Sequence, residues 1–455
     1  MSTQHSKAAQ KFLQTNKNAA WHDETFWSLR VKRDGMAKGL DEWEQLREAA
    51  SAIKRHTVTH LDEYLEQFAA NAEKNGVKVH WAKDAGEFNS IVLSILKNHG
   101  VDKLVKSKSM LTEECGMNPY LEKHGINVVE TDLGERILQL MDKKPCHIVV
   151  PAVHITQEEV GHLFEEKLGS EKGNYDPTYL TYQARLSLRN EFMTAGAGMT
   201  GANFGVAATG DVVVCTNEGN ADMSTSMPKL HIVAMGLEKV IPDYRSLAVF
   251  QRLLCRAATG QPTTSFTSHF RKARPGAEMH IVLVDNGRSD IIANPGHWET
   301  LKCIRCGSCM NTCPVYRRSG GYSYTYFIPG PIGINLGMLK DASEYSDNVS
   351  ACTLCCSCDN VCPVKVNLSE QIYRWRQNLD SLGKADTVKK VMSVGMKYLF
   401  DHPSLYTTAL KFAPLANHVP HALMYNKLNG WGYGHEMPEF PHESFHEMWK
   451  KGEVK

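Results

Sequence analysis

The chain has 455 residues, of which 42% are hydrophobic and 22% are charged, and its formal net charge at pH 7 is +1. This length exceeds what one hydrophobic core supports, so we expect a globular protein of two or three domains. The near-neutral charge argues against a nucleic-acid partner, which requires a concentrated positive surface. No segment approaches the roughly 18 uninterrupted apolar residues of a transmembrane helix. Residues 1–17 lack the apolar core of a signal peptide, so a cytoplasmic location is predicted.

Residues 1–58 are predicted to form a charged helical arm. The apolar content of this arm includes Trp21, Phe26, Trp27 and Leu29. So few apolar side chains cannot form a separate core, and we expect the arm to pack on another domain or on a partner.

Residues 59–290 are predicted to form an α/β domain. Three passes of amphipathic helix, glycine and short apolar strand begin at Leu61, and this alternation indicates a mostly parallel sheet with crossover helices. A further helix is predicted at residues 244–257. Helix starts are indicated by three capping pairs, Asp84 with Glu87, Asp132 with Glu135 and Thr156 with Glu159. Strands are predicted at residues 77–81, 104–105, 126–129, 146–150, 212–215, 230–235 and 279–284.

A glycine-rich string, Gly196-x-Gly198-x-x-Gly201, matches the dinucleotide-binding fingerprint. That fingerprint binds a pyrophosphate where it follows a strand and opens a helix. Here the preceding residues 185–193 have a helical pattern, so a nucleotide site is not predicted at these glycines.

The strongest chemical signal is a cysteine motif that occurs twice between residues 303 and 363. Three closely spaced thiolates allow one loop to bind three irons of a [4Fe–4S] cluster, and the fourth cysteine, which precedes a proline, usually ligates the neighbouring cluster. Two [4Fe–4S] clusters with crossed ligation are therefore predicted. Their ligand sets would be Cys303, Cys306, Cys309 and Cys362 for the first cluster, and Cys352, Cys355, Cys358 and Cys313 for the second.

Two other uses of these cysteines stay open. Zinc sites also use Cys-x-x-Cys, but in two pairs or with histidines rather than in runs of four. Disulfides need an oxidising compartment, which nothing at the N-terminus indicates. Cys356 is interpreted as a spare thiol that could replace Cys355. The other four cysteines are scattered singly, as expected in a reducing compartment, at Cys115, Cys146, Cys215 and Cys255.

The cysteine motifs predict a module at residues 291–380. Between Cys313 and Cys352 there are 38 residues, a gap that favours an α-helical ferredoxin module over the compact β-type. The remaining residues, 381–455, are predicted to form a helical and irregular tail, with helices near 391–400 and 405–412. After Pro420 the tail is rich in His, Pro and aromatic residues, so it is either a partner-binding segment or a passive surface strap.

Several segments of the α/β domain resemble the lactate-utilisation (LUD) domain family. They are Gly201-Ala-Asn-Phe-Gly-Val-Ala-Ala-Thr-Gly210, Asn217-Glu-Gly-Asn220, Pro228, His231-Ile232 and Gly236-Leu-Glu-Lys239. The resemblance implies a fold similar to that of sugar-phosphate isomerases and CoA-transferases. Ala208 stands where the family commonly has Glu, which favours binding or electron transfer over proton chemistry.

With the cysteine motifs downstream, nearly the whole chain resembles the iron–sulfur subunits of three-protein systems that oxidise L-lactate. This resemblance implies two partners, a cysteine-rich oxidoreductase subunit and a second LUD-domain protein. Our first hypothesis is therefore an electron-transfer subunit. The alternatives are a self-contained hydroxy-acid oxidoreductase that binds a small carboxylate substrate in the LUD domain, and a scaffold with structural clusters.

Candidate substrate groups lie at predicted strand ends. Lys103, Lys106 and Lys108 precede a helix start with Thr112, Glu113 and Glu114, where α/β sheets take anions; a solvated lysine face is the alternative. Cys115 is either a thiol with a pKa lowered by that helix or an inert core residue. A polar cluster that suits substrate hydrogen bonds, or an ordinary turn, follows the strand at residues 212–215 and comprises Asn217, Glu218 and Asn220.

Four histidines lie in or near apolar strands and are interpreted as core residues, one of which could accept the hydroxyl proton of a hydroxy acid. They are His147, His154, His231 and His280. Five cations flank the cysteines and are expected to raise the cluster potentials by stabilising the reduced state. They are Lys302, Arg305, Arg317, Arg318 and Lys365.

Overall fold

The computed structural model describes residues 4–15, 18–379, 381–384, 387–424 and 438–454. Residues Thr3–Asn378 form one compact unit, and the segment from Leu379 to Lys455 belongs to a second. Within the described residues, no helix combines the length and the apolar character needed to cross a membrane.

Ten strands lie in the first unit. In chain order they are β1 (Lys78–Ala82), β2 (Lys103–Lys106), β3 (Asn127–Glu130), β4 (Ala197–Thr200), β5 (Phe204–Val206), β6 (Asp211–Thr216), β7 (Leu230–Gly236), β8 (Val240–Ile241), β9 (Phe266–Phe270) and β10 (Glu278–Val284).

Twenty-three α-helices are described over both units. The first thirteen are α1 (Gln4–Thr15), α2 (Ala19–Lys38), α3 (Trp43–Thr59), α4 (Leu61–Lys74), α5 (Ala85–Asn98), α6 (Met110–Glu114), α7 (Met117–Lys123), α8 (Leu133–Leu140), α9 (Gln157–Leu168), α10 (Pro177–Thr194), α11 (Asn220–Ser226), α12 (Tyr244–Ala258) and α13 (Arg288–Ile292). The others are α14 (Ser308–Thr312), α15 (Pro314–Ser319), α16 (Gly330–Lys340), α17 (Ala342–Tyr345), α18 (Ser357–Val361), α19 (Leu368–Asn378), α20 (Thr387–Asp401), α21 (Pro403–Phe412), α22 (His421–Met424) and α23 (Phe445–Lys451).

The main sheet has six strands in the order β1-β10-β7-β4-β2-β3, and every neighbouring pair is parallel. Helices cover both faces, as a parallel sheet requires. One apolar core contains Phe88, Leu104 and Ile232, and the other contains Phe68, Val233 and Ile281. Adjacent strand residues such as Ile232 and Val233 thus point to opposite faces. The predicted α/β class is confirmed.

A second sheet of four strands, in the order β8-β5-β6-β9, was not predicted as a separate layer. Its β5 and β8 have only three and two residues, too short for a periodic sequence signal. Strand β4 was also missed. It spans the middle of the glycine-rich string, including Gly198, so that part of the string lies in the main sheet rather than in a loop between a strand and a helix.

The predicted helix starts at Asp84, Asp132 and Thr156 are N-caps, and the full reciprocal capping box is present at Thr156 with Glu159. The predicted strand at residues 146–150 is wrong, because that segment is irregular. Its geometry has a local cause: His147 Nδ1 accepts hydrogen bonds from the amides of Val149 and Val150, both at 3.0 Å, so these amides cannot join a strand ladder.

The cysteine-containing region is helical. Between β10 and the end of the first unit, the chain forms only α13–α19 and short 3₁₀ segments, one of which is Trp298–Lys302. This confirms the α-helical ferredoxin arrangement predicted from the long gap between the motifs.

Helices α2 and α3 of the N-terminal region pack against the cysteine region. Arg33 Nη2 donates to the Val361 carbonyl at 3.0 Å, and Arg47 Nε donates to the Cys362 carbonyl at 2.9 Å. The N-terminal residues therefore contribute to the environment of the cysteines.

In the second unit, α20 and α21 lie where the sequence predicts helices. Residues 425–437, within the predicted aromatic and His-rich stretch after Pro420, lie outside the described residues.

Candidate functional site

The first predicted ligand set lines one small cavity. Cys303, Cys306 and Cys309 come from the first motif, and Cys362 reaches the cavity from the second motif, whereas Cys313 is not part of its wall. Apolar side chains such as Ile332 and Val366 complete the lining. The donor set of four cysteines in a mostly apolar enclosure has the chemistry that a [4Fe–4S] cluster requires.

The second predicted set lies around Cys313. Burial raises the pKa of the Cys313 thiol to about 11, hydrogen bonds from backbone amides lower it, and the nearby Cys352 and Cys355 raise it. The pKa of Cys358 is raised by burial and by several neighbours, which include Cys352 and Cys313. The four thiols are therefore electrostatic neighbours of one another, and Cys358 is also a neighbour of Cys309 of the first set. Because burial raises the pKa of Cys313, Cys352 and Cys358, iron has to displace protons from these three thiols when it binds.

The two sets differ in exposure. Cys306, Cys309 and Cys362 of the first set are buried, whereas Cys355 of the second set is exposed. The second set thus has one cysteine at the surface, whereas no cysteine of the first set is exposed.

The backbone around the two sets repeats. Arg305 and Leu354 follow the first cysteine of their motifs by two residues, and both have positive φ, at 60° and 56°. Their amides lie 3.4 Å from Cys303 Sγ and 3.3 Å from Cys352 Sγ. Each loop therefore turns its backbone amide toward a sulfur, a contact that stabilises a thiolate.

The fourth cysteine of each motif also accepts an amide hydrogen bond. Tyr316 N donates to Cys313 Sγ at 3.5 Å, and Val366 N donates to Cys362 Sγ at 3.3 Å. When the cysteines are grouped by proximity, each group has two sulfurs with an amide donor. The residues therefore fit two clusters with similar electrostatic support.

Three of the five flanking cations are paired with acidic residues of α2 and α3. Arg317 and Arg318 lie 3.1 and 3.3 Å from the carboxylate of Asp23, and Lys365 contacts Glu44 at 3.2 Å and Glu48. These acids offset charges that the sequence alone presented as free, so these three cations should raise the potentials less than unpaired cations would.

The other two flanking cations lie further inside. Lys302 is buried and donates to the Lys365 carbonyl at 3.0 Å. Arg305 Nη1 is buried and has no hydrogen-bond partner among the described residues, and its Nη2 lies 3.9 Å from Glu238.

A larger cavity of about 220 Å³ lies at the carboxyl edge of the main sheet. Its wall includes residues that follow β2, β4 and β7, which are Lys108, Gly201 and Lys239, together with Arg305 and Cys306 of the first cysteine loop. Carboxyl edges of parallel strands are where α/β folds bind ligands. In this protein, Cys306 of the first cysteine set lies in the wall of the same cavity as that edge of the sheet.

The predicted polar cluster is part of this cavity. Asn217, Glu218 and Asn220 all line it, and Asn220 is 5% exposed with a buried Oδ1 that no described residue contacts by a hydrogen bond.

The predicted lysine group is divided. Lys108 and Glu114 line the cavity, but Lys103 pairs with Glu191 at 2.9 Å and does not. Lys106 is fully buried, which contradicts a solvated lysine face. Burial alone would lower the Lys106 pKa, but Glu130 at 2.7 Å and Glu113 at 3.2 Å outweigh it.

Thr112 is also inside this buried group, where its hydroxyl accepts a hydrogen bond from Lys106 Nζ at 3.0 Å. Cys115 follows the end of the five-residue α6 rather than its first turn, and burial raises its pKa to about 12, so it is an inert core residue.

None of the four histidines is in the lining of the large cavity. His147 contacts Asn311 at 3.1 Å, His154 contacts Cys146 at 2.8 Å and His231 contacts Thr200 at 2.9 Å. His280 contacts His80 at 2.9 Å. They are core or partnered side chains and are not placed to take a proton from a molecule in the cavity.

Sequence reasoning assigned no role to three charged residues of the cavity, Glu238, Lys239 and Arg288. Arg288 binds both oxygens of Glu114, each at 3.0 Å, and also donates to Glu238. Lys239 makes no hydrogen bond or ion pair within the part of the chain that the structure describes. A usable signal was the Glu-Lys pair at residues 238 and 239, which follows the fully buried β7 after a single residue.

Comparison with known proteins identifies both parts of this architecture. Residues 65–291 match the LUD domain family, and residues 299–366 match the 4Fe-4S dicluster domain family. A DUF162 family protein from Deinococcus radiodurans, known from a crystal structure, aligns with 49% of this chain and 98% of its own. The two are 12% identical, and the TM-score is 0.28.

Three relatives span most of the chain. Lactate utilization protein B of Geobacillus thermodenitrificans is 42% identical over 85% of this chain and 83% of its own, and that of Oceanobacillus iheyensis is 39% identical over 93% and 91%. The uncharacterized electron transport protein YkgF of Escherichia coli K12 is 37% identical over 93% and 91%. The chain belongs to the lactate utilization protein B family.

Proposed function

We propose that this protein is the iron–sulfur electron-transfer subunit of a cytoplasmic system that oxidises L-lactate to pyruvate and so allows growth on lactate. The observation that carries the proposal is the grouping of three cysteines of the first motif with Cys362 of the second around one cavity. The family relatives named for lactate utilization and for electron transport support the same role.

Two [4Fe–4S] clusters are proposed, with crossed ligand sets. Cys303, Cys306, Cys309 and Cys362 hold the first, and Cys352, Cys355, Cys358 and Cys313 hold the second. When bound, the two clusters supply one-electron transfer and can hold one each of the two electrons that leave lactate as it becomes pyruvate.

The chain's own residues prepare both sites. Amides of Arg305, Val366, Leu354 and Tyr316 donate to ligand sulfurs and favour the thiolate form. Burial excludes water from the first set, whereas the exposed Cys355 leaves the second set open to a protein partner. By family resemblance the partners are a cysteine-rich oxidoreductase subunit and a second LUD-domain protein.

Iron analysis after anaerobic purification tests the cofactor proposal. We expect about eight irons per chain, because two four-iron clusters are bound. Zinc in place of iron, or iron near zero, would refute it.

Crossed ligation is tested by removing one set. A chain with Cys352, Cys355 and Cys358 changed to alanine is expected to keep about four irons, since the first set remains complete. Adding Cys362→Ala should then remove the remaining iron, whereas adding Cys313→Ala should not. The opposite pair of results would show that each motif holds its own cluster.

A second candidate function is a self-contained hydroxy-acid oxidoreductase. The observation that favours it is the wall that the large cavity shares with Arg305 and Cys306 of the first cysteine set. Reduction of an artificial dye by L-lactate with this protein alone would support it. Activity that requires added partner subunits would support the electron-transfer subunit instead.

A further inference from the structure

Four cationic side chains line the large cavity, and two of them are engaged by the protein itself. Lys108 donates to the Val149 carbonyl and lies 3.8 Å from Asp132. Arg288 is shared between the carboxylates of Glu114 and Glu238. Because these two cations already have partners within the protein, they do not require an external anion.

The other two cations are Lys239 and Arg305. Lys239 has no hydrogen-bond or ion-pair partner among the residues the structure describes. Arg305 has a buried Nη1 without a partner and only a distant carboxylate at 3.9 Å from its Nη2. Unpaired cations in a partly enclosed site are costly unless a counter-charge is present. Since both line the same cavity, an anion there would satisfy both.

The acidic groups of the cavity do not remove this demand. Glu114 and Glu238 are held by Arg288, and Asp132 lies beside Lys108. Glu218 is exposed, and its Oε2 accepts a hydrogen bond from the Asn217 amide. Cys303 of the first cysteine set and Glu238 supply some negative charge to Arg305 and Lys239, but they leave the donor at Arg305 Nη1 without an acceptor.

A buried acceptor completes the arrangement. Asn220 is 5% exposed, lines the cavity and has an Oδ1 without a hydrogen-bond partner in the described chain. A hydroxyl group is the natural donor to such an oxygen. The volume of about 220 Å³ suits a small organic acid, because drug-sized molecules occupy larger pockets.

We propose that this cavity binds a small 2-hydroxy monocarboxylate, with the carboxylate held by Lys239 and Arg305 and the hydroxyl donating to Asn220. The bound acid lies in the same cavity as Cys306, so its binding alters the surroundings of the first cysteine set. This inference deepens the proposed function and rests on it for the presence of a cluster at that set, while the binding step itself requires only the cavity residues.

The test uses the full-length, cluster-loaded protein under anaerobic conditions. Isothermal titration with L-lactate is expected to show saturable binding of one molecule per chain. Acetate lacks the hydroxyl and so loses the buried hydrogen bond, and it should bind at least about tenfold more weakly than L-lactate. Lys239→Gln loses the charge-assisted hydrogen bond, so this variant should bind L-lactate at least about tenfold more weakly than the unaltered protein does. Asn220→Ala should abolish the preference for lactate over acetate.

The matched control is Lys123→Gln, which removes a lysine at an exposed position outside the cavity and should leave binding unchanged. Lys239→Arg keeps the charge and is expected to bind within a few-fold of the unaltered protein. A second readout is the electron paramagnetic resonance spectrum of the reduced protein, which should change on adding L-lactate and should not change for Lys239→Gln at the same concentration.

Iron content is measured on every sample and separates the two proposals. Protein without iron refutes the proposed function. Protein with its iron that shows no saturable lactate binding refutes this inference, as does equal binding by Lys239→Gln and Lys123→Gln. A Lys239→Gln protein with altered redox potential but unaltered lactate binding would assign Lys239 to charge compensation of the cluster and would also overturn it.

Discussion

Cys356 occupies the same backbone position in the second cysteine loop that Gly307 occupies in the first. Both residues directly follow the second cysteine of their motif, both have positive φ, at 58° and 77°, and both are the N-cap of a short helix, α18 or α14. Cys356 is exposed, and its Sγ contacts the Leu354 carbonyl at 3.5 Å. Its position is thus one that glycine adopts more easily than cysteine.

Cys356→Gly is expected to keep the full iron content and to gain up to about 1 kcal/mol of stability, because glycine tolerates positive φ without a Cβ penalty. Cys355→Ser should lose iron from the second set. Iron per chain and anaerobic thermal unfolding measure both effects. Loss of iron in Cys356→Gly would assign Cys356 as a ligand instead.

Arg47→Gln is expected to destabilise the protein by about 1–3 kcal/mol, since it removes the donor to the buried Cys362 carbonyl. The first cluster, which Cys362 ligates in the crossed set, should also release iron faster. Anaerobic urea titration and the rate of iron release to a chelator are the measurements. The control is Arg55→Gln, whose side chain is 61% exposed and pairs with Glu299 at 3.3 Å, and which should change stability by less than about 1 kcal/mol. Equal effects of the two substitutions would contradict the prediction.

Tyr324→Phe is expected to lower the reduction potential of the second cluster. The Tyr324 hydroxyl is buried beside Cys313 and has no other hydrogen-bond partner in the described chain, so we expect it to donate to the Cys313 sulfur when that sulfur ligates a cluster, which stabilises the reduced state. Loss of one such bond corresponds to on the order of 40 mV for a one-electron couple. Anaerobic redox titration followed by electron paramagnetic resonance measures the shift. Tyr322→Phe, whose hydroxyl donates to the Lys144 carbonyl, is the control and should leave the potential unchanged.

His231 is expected to make stability fall in acid. Burial lowers its pKa to about 3, from an ordinary value of 6.5, so between these pH values the unfolded chain binds a proton that the folded chain does not. Stability therefore decreases as the pH falls below about 6.5, by about 2 kcal/mol from pH 7 to pH 5. Urea titrations at several pH values give the free energy of unfolding. The slope of this free energy against pH should be shallower for His231→Gln. The exposed His124→Gln should keep the original slope, and an unchanged slope in His231→Gln would refute the assignment.

Gly198→Ala is expected to destabilise the α/β domain by about 3 kcal/mol or more, because an added Cβ would lie 1.6 Å from the Ser224 carbonyl oxygen. Thermal unfolding measures the loss. Gly35→Ala in α2 is the control. No atom lies within 4 Å of its added Cβ, so it should stabilise by about 1 kcal/mol at most. A tolerated Gly198→Ala would mean that α11 can move away from β4.

Local chemistry was readable from the sequence. The spacing of Cys303, Cys306 and Cys309 predicts a ligand loop, because seven consecutive residues can adopt one turn whatever surrounds them. The helix starts at Asp132 and Thr156 are equally local, since an N-cap bonds an amide three residues away. The alternation of helix and strand also needs only short-range periodicity, and it predicted the parallel sheet.

Long-range relationships were decided by tertiary structure. Lys106 has the sequence of a solvated strand end, yet it is buried between Glu130 and Glu113, because the crossover that follows covers it. The approach of Lys239 to Arg305 depends on packing the sheet edge against a cysteine loop more than sixty residues later in the chain. Spacing alone predicted that the cysteines are cluster ligands. Only this packing brings Cys306 to the wall of the cavity, since side-chain contacts between distant segments leave no local periodic signal.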